Sequence, residues 1–299
     1  MHSAQLTRHP PRHRPGIARE APSDLRRRYP SGVLAPRTRA AIRIGSLLYV
    51  VFGIVLFAAP EWSASAFPWN VTPFVAMTIG GWAIGNGVAT WFASAQGPAT
   101  RVMPVLVYLA AFAAAQLLVV IAFRGALQPG AVLTIPYLIT LGFTLIASAF
   151  GILELRTSLD VVIADDAPVA RTVRIALAGL TLFVAALAVG GFLAGTGGLS
   201  TTGRIFPEPL TLFTVRAFAA FYLALAIGLA ALLARPHLGS AFVLGIGGVA
   251  LIMPILAAAL LHIGAFDFAT RPLGMLYLAA YAVVLVPAGI FVWRHRDLA

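Results

Sequence analysis

The chain has 299 residues, of which 60% are hydrophobic and only 10% are charged. Soluble domains carry about 25% charged residues, so this composition excludes an ordinary water-soluble protein and indicates that lipid covers part of the surface. The chain contains no cysteine, which excludes disulfides, thiolate metal sites and cysteine nucleophiles. All 21 basic residues are arginine, a usage typical of a GC-rich bacterial genome.

The formal net charge of +11 is concentrated at the N-terminus, because ten of the 21 arginines precede Ile44. Residues 1–40 are rich in Arg and Pro, and they hold too few large apolar groups to offset the entropy of ordering. We therefore predict a disordered cytoplasmic tail. It is either attracted to anionic lipid or the product of a start site assigned too far upstream. Because the excess charge belongs to this tail and to loops, no nucleic-acid partner is predicted.

A helix needs about 20 mainly apolar residues to cross the hydrocarbon core of a bilayer. The runs without charged residues, trimmed at turn signals, predict an all-α fold with eight transmembrane helices. A transmembrane barrel is excluded because its strands alternate polar and apolar residues, and LVYLAAFAAAQLLVVIAF (106–123) does not. The predicted spans, numbered 1 to 8 in chain order, are 43–59, 72–94, 102–123, 131–153, 173–195, 210–233, 240–263 and 273–293.

Arginine placement predicts the orientation of these spans. The tail, the loops after spans 2, 4 and 6, and the C-terminus hold 17 arginines, whereas the other loops hold three. Positively charged loops stay in the cytoplasm, so both termini are predicted to be cytoplasmic, in a bacterial plasma membrane. Trp62 and Trp69 then lie at the outer interface, where amphipathic rings are favoured.

The sequence contains an internal repeat. Segments 66–74 and 205–213 precede spans 2 and 6, and both contain Phe-Pro-x-x-x-Thr-x-Phe at an offset of 139 residues. Other repeated positions lie at somewhat different offsets, which loop insertions explain, and we take the loop 264–272 as one of them. These further pairs are Arg43-Ile44 with Arg174-Ile175, Arg101 with Arg235, and Tyr137-Leu138 with Tyr277-Leu278.

The repeat predicts two four-helix halves, at residues 41–155 and 171–296, joined by a cytoplasmic linker at 156–170. Each half has an even number of spans, so the halves are parallel and related by a pseudo-two-fold axis along the membrane normal. Parallel repeats occur in transporters, although architecture alone does not fix function. The Phe-Pro element is explained either as a helix-start device or as a binding loop.

The tract FPEPLTLFTVRAFAAFYLALAIG (206–228) and its counterpart FPWNVTPFVAMTIGGWAIGNG (67–87) resemble a pattern in uncharacterised multi-pass membrane proteins of actinobacteria and related bacteria. That pattern is W-P-x-x-LT-P-L-x-A-R-x-x-G-A-W. The arginine is missing from the first copy, which has Met77 at that position. The resemblance covers about a tenth of the chain and implies about eight spans but no activity. The matching residues are Pro207, Leu210, Thr211 and Arg216 in the second copy, and Pro68, Thr72, Pro73, Gly81 and Trp82 in the first.

Arg216 is the only charged residue in the interior of a predicted span, about 9 Å from the outer end at 1.5 Å per residue, since Arg43 and Arg174 lie at span ends. A charge inside the membrane is a functional hypothesis by default. The alternative is an arginine that snorkels outward or pairs with an outer carboxylate such as Glu208. The hypothesis of a ligand site takes Arg216 as charge partner of an anionic ligand, with Glu208 and Thr211 shaping the entrance.

The remaining polar residues favour structural roles. We predict that Asn86, Gln116, Thr78 and Thr90 hydrogen-bond between helices. Span 7 contains three glycines and Pro254, a pattern of broken transporter helices that ordinary membrane helices also tolerate. The acidic cluster Asp160, Asp165 and Asp166 is interpreted as a solvated linker, with a cation site as the alternative.

No catalytic constellation, paired histidines or phosphate-binding loop is recognisable, so we predict no enzyme activity, no metal and no cofactor. Two hypotheses of function remain. The first is a carrier or binding protein for a small anionic or lipid-like ligand. The second is a non-transporting membrane scaffold or accessory subunit whose polar residues only pack helices.

Overall fold

The computed structural model of the chain describes residues 33–95, 99–156, 167–195 and 206–298. Most of the predicted tail, residues 1–32, and most of the predicted linker, residues 157–166 with its three aspartates, lie outside this part. Within it, the chain is helical as predicted. Apart from helices it contains only loops and one isolated antiparallel bridge between Pro168 and His237.

The described residues form nine α-helices, of which eight have 22–24 residues and one, α2, has six. At 1.5 Å per residue, the eight long helices each extend about 33–36 Å, enough to cross the hydrocarbon core of a bilayer. The helices are α1 (Pro36–Ala58), α2 (Pro60–Ser65), α3 (Pro73–Ala95), α4 (Ala99–Ala122), α5 (Thr134–Leu155), α6 (Arg171–Leu193), α7 (Leu212–Ala234), α8 (Leu238–Leu261) and α9 (Leu273–Arg294).

Helix α1 begins at Pro36, seven residues before predicted span 1, so residues 36–40 of the predicted tail are helical. Proline suits the first turn of a helix because its missing N–H has no intrahelical partner there. Arg37 and Arg39 in this turn lie before the predicted span, yet they belong to the helix. Hydropathy detects the lipid-facing part of a helix, and the helix itself continues beyond it.

Seven helices, α1 and α4 to α9, are long and apolar enough to cross a membrane, which is the composition of a multi-pass membrane protein. Helix α3 is equally long but less apolar, since it carries five glycines or polar residues in its centre. Its environment explains this, because 17 of its 23 residues are buried. A helix that contacts protein on most sides can carry more glycine and polar residues than a helix that faces lipid.

Helix α3 lies at the centre of the bundle between α1 and α8, and small residues bring the backbones close. A Cβ on Gly53 of α1 would lie 2.7 Å from the carbonyl oxygen of Gly80 in α3. On its other side, a Cβ on Gly85 would lie 2.4 Å from the Cβ of Leu251 in α8. The other extensive helix pairs are α6 with α7, α4 with α7, α4 with α5, α8 with α9, α1 with α5 and α4 with α8.

Helix α8, which corresponds to predicted span 7, is continuous from Leu238 to Leu261 despite the three glycines of that span and Pro254. Its glycines do not act alike, because Gly247 packs on Ala89 of α3 whereas Gly248 has no neighbour within 4 Å. The glycines and Pro254, a pattern shared with broken transporter helices, therefore lie here in an unbroken helix that packs against its neighbours.

Helices α6 and α9 lie at the periphery of the bundle. Each has only two buried residues, and large apolar side chains such as Leu182 and Val283 are more than 70% exposed. Exposed aliphatic side chains at this density require a hydrocarbon solvent, so these two helices supply much of the lipid-facing surface.

Candidate functional site

The two Phe-Pro segments lie together at one end of the bundle, where they contact each other although they are far apart in the sequence. We name residues 67–74 the first tract and residues 206–213 the second tract. Trp69 of the first tract donates its indole Nε1–H to the hydroxyl of Thr214 at the start of α7, at 3.2 Å. Reciprocally, the hydroxyl of Thr72 donates to Oε1 of Glu208 in the second tract. Each tract therefore forms a hydrogen bond with the start of the helix that follows the other tract.

Trp69 anchors this contact and is only 1% exposed. Its ring stacks on Phe213 with centroids 4.3 Å apart and meets the edge of Phe67 at 4.5 Å. Such aromatic pairs add to the stabilisation that burial alone supplies. Trp69 lies just before α3, near a helix end, as a residue at a membrane interface would. Its ring nevertheless packs against protein.

Thr211, predicted to shape a ligand entrance, is the N-cap of α7. Its hydroxyl accepts a hydrogen bond from the backbone N–H of Thr214 at 3.2 Å. In the first tract, Thr72 accepts in the same way from the N–H of Val75, also at 3.2 Å. A hydroxyl at this position satisfies a backbone donor that the helix leaves unpaired. The repeated threonine thus supports the interpretation of the element as a helix-start device.

Glu208 lies in a mainly buried site between the tracts, with Thr72 as its hydrogen-bond donor. Burial raises the pKa of the Glu208 carboxyl, while the Thr72 hydroxyl and the positive charge of Arg271 oppose part of this rise. The guanidinium of Arg271 is held nearby, since it donates to the carbonyl of Phe206 at 3.4 Å. The protonated form of Glu208 is therefore favoured by folding.

A substitution of Glu208 by glutamine is expected to remove a pH-dependent loss of stability. The folded-state pKa lies above the unfolded one, so the stabilisation is complete below the unfolded pKa and is lost as the pH rises through the folded value. Glutamine keeps an oxygen acceptor for Thr72 and carries no charge. The thermal midpoint of Glu208→Gln minus that of wild type should therefore be more positive near about pH 7 than near about pH 4.

The exposed Glu61 at the same end provides the control variant Glu61→Gln. Its midpoint difference from wild type is the baseline, and only the pH dependence of Glu208→Gln beyond that baseline is attributed to the site between the tracts. A Glu208→Gln difference that is constant with pH, or that grows toward acid pH, contradicts the assignment.

Arg216, the predicted charge partner of a ligand, binds the end of a neighbouring helix. Its guanidinium donates to the carbonyl of Gly191 through Nη1, and to the carbonyl of Ala194 through Nη2 at 2.8 Å. These carbonyls belong to the last turn and C-cap of α6, where backbone acceptors are unpaired and the helix dipole is negative. Arg216 thus caps α6, and no hydrogen bond or ion pair among the described residues joins it to Glu208.

The predicted hydrogen bonds between helices form for two of the four polar residues. Asn86 accepts from the Tyr108 hydroxyl at 2.5 Å, and Gln116 donates to the carbonyl of Ala217 at 2.8 Å. Thr90 instead donates to the carbonyl of Asn86 in its own helix, so the prediction is wrong for it. Thr78 donates in the same way to the carbonyl of Phe74, and its hydroxyl also faces Tyr277 of α9. The hydroxyl of a threonine can hydrogen-bond to a carbonyl of its own helix. An amide side chain is too long and has too many polar atoms to be paired in this way.

Three further polar residues, which were not singled out from the sequence, lie together with Asn86. We name Tyr49, Asn86, Tyr108 and Thr144 the polar cluster; they come from α1, α3, α4 and α5, and each is at most 4% exposed. The Tyr49 hydroxyl faces the side chains of Thr144 and Asn86. Three buried atoms in it have no hydrogen-bond partner in the described structure: Tyr49 OH, Asn86 Nδ2 and Thr144 Oγ1.

A small cavity adjoins the polar cluster. Tyr49 lines it together with Trp82, Tyr137 and Thr140, and the space open to the centre of a water-sized sphere is about 20 Å³. The indole Nε1 of Trp82 is also buried without a partner in the described structure. Of the four residues with unpaired atoms, Tyr49 and Trp82 line this cavity, whereas Asn86 and Thr144 do not.

The described residues contain no group of three or more His, Asp or Glu side chains that could hold a metal ion. His262, the only histidine at the end of a predicted span, packs its ring near Phe74 at 6.2 Å.

No family model, curated protein or solved structure matches the chain. The resemblance to uncharacterised multi-pass membrane proteins therefore stays a prediction, and function is inferred from the geometry alone.

Proposed function

We propose that the chain is an eight-span plasma-membrane protein of two parallel four-helix repeats that acts as a non-transporting scaffold or accessory subunit. In this proposal α3 is the eighth span. Its 23 residues match those of α1 and α7 in length, and it runs antiparallel to α1 beside it. Its glycine-rich composition reflects contact with protein on most sides.

The ends of the helices support the duplication. Helix α3 begins at 73 and α7 at 212, α4 at 99 and α8 at 238, and α5 at 134 and α9 at 273, so each pair differs by 139 residues and has equal length. The loops after α4 and α8 also match, since each starts with one turn of 3-10 helix, Arg124–Ala126 and Ile263–Ala265. The expectation that loop 264–272 is an insertion is therefore wrong. Only α1 and α6 depart, at 36 and 171.

Contacts between the halves support a pseudo-two-fold relation. A Cβ on Gly247 would lie 2.6 Å from the Cβ of Ala89, and one on Gly228 would lie 2.6 Å from the Cβ of Tyr108. These contacts exchange into each other at the 139-residue offset. Trp82 and Phe221, also 139 residues apart, stack on one another at 4.3 Å and 7°, as residues beside a two-fold axis do.

The orientation rests on the arginine distribution described above. An even number of spans, with 17 arginines in the tail, the loops after spans 2, 4 and 6 and the C-terminus, favours cytoplasmic termini.

The capping of α6 by Arg216 is the observation that carries the scaffold proposal. All three residues of the predicted ligand site have structural partners: Arg216 binds helix carbonyls, Glu208 binds Thr72, and Thr211 caps α7. Their chemistry is directed at holding helices and tracts together. A carrier for a small anionic or lipid-like ligand is the second candidate. It is favoured by the positive charge of Arg216, which has no carboxylate partner among the described residues.

A substitution of Arg216 by methionine, the residue of the first half at the matching position, separates the two candidates. Hydrogen bonds to a charged group contribute about 1.5–3 kcal/mol, so the thermal midpoint should fall by about 3–8 °C. Native mass spectrometry from nanodiscs formed directly from cell membranes should show the wild-type chain with other membrane proteins and no discrete small ligand.

Arg124→Met is the matched control, since Arg124 is an exposed arginine at the tract end. It should change neither the midpoint nor the spectrum. A discrete small mass present in wild type and in Arg124→Met but lost in Arg216→Met would replace the scaffold by the carrier. Spectra with only the bare chain and heterogeneous lipid would contradict both candidates.

A further inference from the structure

The lipid-facing side of α1 begins with an arginine. Leu47, Val51 and Ile54, which we name the aliphatic stripe, are each more than half exposed and lie on one side of this helix. Arg43 lies one helical turn before Leu47 on the same side, and it is also exposed. A guanidinium group at the end of an aliphatic stripe matches the shape of a phospholipid, in which a charged headgroup follows the acyl chains.

Two residues near the end of α3 hold this guanidinium in place. Nε of Arg43 donates to the hydroxyl of Ser94 at 3.4 Å, and the guanidinium carbon lies 5.8 Å from the centre of the Trp91 ring. Arginine can stack on an aromatic ring and still present its terminal N–H groups as a fork to a phosphate. No hydrogen bond among the described residues uses the two terminal nitrogens of Arg43, so they remain available to a ligand.

A second arginine adds to the positive charge at this place. Arg39 lies one helical turn before Arg43, and its Nε is buried without a hydrogen-bond partner among the described residues. No carboxylate in the described part of the chain forms an ion pair with either arginine. Glu154 of α5 instead accepts a hydrogen bond from the backbone N–H of Ala35. An anion from outside the chain would therefore supply the missing charge partner.

The proposed duplication provides a comparison, because the second half lacks this arrangement. An offset of 135 residues relates the starts of α1 and α6, and an offset of 139 relates those of α3 and α7. At these offsets Arg39 corresponds to Arg174, whereas the other three residues correspond to small or aliphatic ones. These pairs are Arg43 with Ala178, Trp91 with Ala230 and Ser94 with Leu233. The helix arrangement by itself therefore does not require a guanidinium held against α3.

We propose that Arg43 and Arg39 bind the phosphate of one anionic phospholipid, with an acyl chain of that lipid along the aliphatic stripe. Two guanidinium groups without a paired carboxylate favour a headgroup of net negative charge over a zwitterionic one, whose ammonium group they repel. The stripe favours a lipid over a soluble phosphate, because it places an apolar surface directly beside the charge. The leaflet rests on the proposed orientation, which puts this end of α1 in the cytoplasmic leaflet, where anionic lipids attract basic residues.

Native mass spectrometry of the full chain in detergent, titrated with dioleoyl phosphatidylglycerol, tests the proposal. The first lipid should bind Arg43→Ala about tenfold or more weakly than wild type, because the phosphate loses a charged hydrogen-bond donor. Dioleoyl phosphatidylcholine should bind both chains alike. Arg174→Ala, which removes an exposed arginine from α6, is the matched control and should bind phosphatidylglycerol as wild type does. Equal binding of phosphatidylglycerol by wild type and Arg43→Ala, or an equal loss in Arg174→Ala, overturns the proposal.

A second variant keeps both charges and removes the support of one. Trp91→Leu should weaken the first binding step by roughly two- to fivefold, as expected for the loss of an exposed cation–π contact. Unchanged binding in Trp91→Leu contradicts the site. Displacement of the lipid from wild type by inorganic phosphate, at constant ionic strength, shows a site for a free anion and also overturns the proposal.

The lipid site and the role proposed for Arg216 can fail separately. Acyl chains vary in cell membranes, so a lipid at Arg43 adds to the heterogeneous lipid signal there and not to a discrete small mass. In the titration with phosphatidylglycerol, Arg216→Met should bind the first lipid as wild type does. A loss of that lipid in Arg216→Met but not in Arg43→Ala places it at Arg216 and overturns the proposal.

Discussion

Gly85→Ala is expected to destabilise the bundle by about 3 kcal/mol and lower the thermal midpoint by about 6 °C or more, the upper range for overpacking. The added methyl would lie 2.4 Å from the Cβ of Leu251 and 2.9 Å from the carbonyl oxygen of Gly247. These atoms are held by the backbone of α8, so no side-chain rotation relieves the clash and the two helices must separate. Heating followed by size-exclusion chromatography in detergent measures the midpoint.

Gly248→Ala is the matched control on α8. It follows Gly247 directly, yet a Cβ there meets nothing within 4 Å. Alanine stabilises a helix relative to glycine by roughly 0.5–1 kcal/mol, so this variant should be neutral or slightly more stable. The two glycine substitutions are thus expected to have opposite signs. If Gly85→Ala is as stable as Gly248→Ala, the close approach of α3 and α8 is wrong.

Trp69→Ala is expected to cost about 3–5 kcal/mol, the range for removing a buried tryptophan, and to lower the thermal midpoint by about 6–12 °C. The change removes the stack on Phe213 and the hydrogen bond to Thr214 together. Because this ring joins the first tract to the start of α7, the loss should also open the tract end. Faster proteolysis of the loop before α7 in intact proteoliposomes provides a second readout.

Trp69→Phe separates the two contributions, since phenylalanine keeps a ring against Phe213 and lacks the indole N–H. It should recover more than half of the midpoint lost in Trp69→Ala. Trp62→Ala, a change at a tryptophan that is 48% exposed at the same end, should shift the midpoint little. Equal shifts for Trp62→Ala and Trp69→Ala would contradict the role of Trp69 as an anchor between the halves.

Helix positions were predictable because every helix that crosses a bilayer needs about 20 mainly apolar residues. Predicted span 8 at 273–293 and helix α9 at Leu273–Arg294 agree within one residue. The start of α1 was not predictable in this way, because its first turn extends beyond the apolar run. The ends of a helix depend on proline placement and capping, which hydropathy does not detect.

The partners of the candidate residues were beyond sequence reasoning for a physical reason. Arg216 binds two backbone carbonyls, and a carbonyl is present at every position of a chain, so no residue type marks it. The bond from Thr72 to Glu208 joins positions 136 residues apart in the sequence. The 139-residue offset of the Phe-Pro segments already matches Asn86 with Leu225, but the sequence does not show that Tyr49, Tyr108 and Thr144, from three other helices, lie together with Asn86.

The burial of α3 has a consequence for the order in which the protein is made. A chain is synthesised from its N-terminus, so α3 emerges long before α8, the helix that covers its glycine face. Until α8 has been translated, the groove at Gly81 and Gly85 has only lipid or another protein against it. The helices before α8 therefore form an incomplete folding unit during biogenesis. Ribosome-bound chains that end before residue 238 should be the species that membrane insertases and quality-control proteases retain longest.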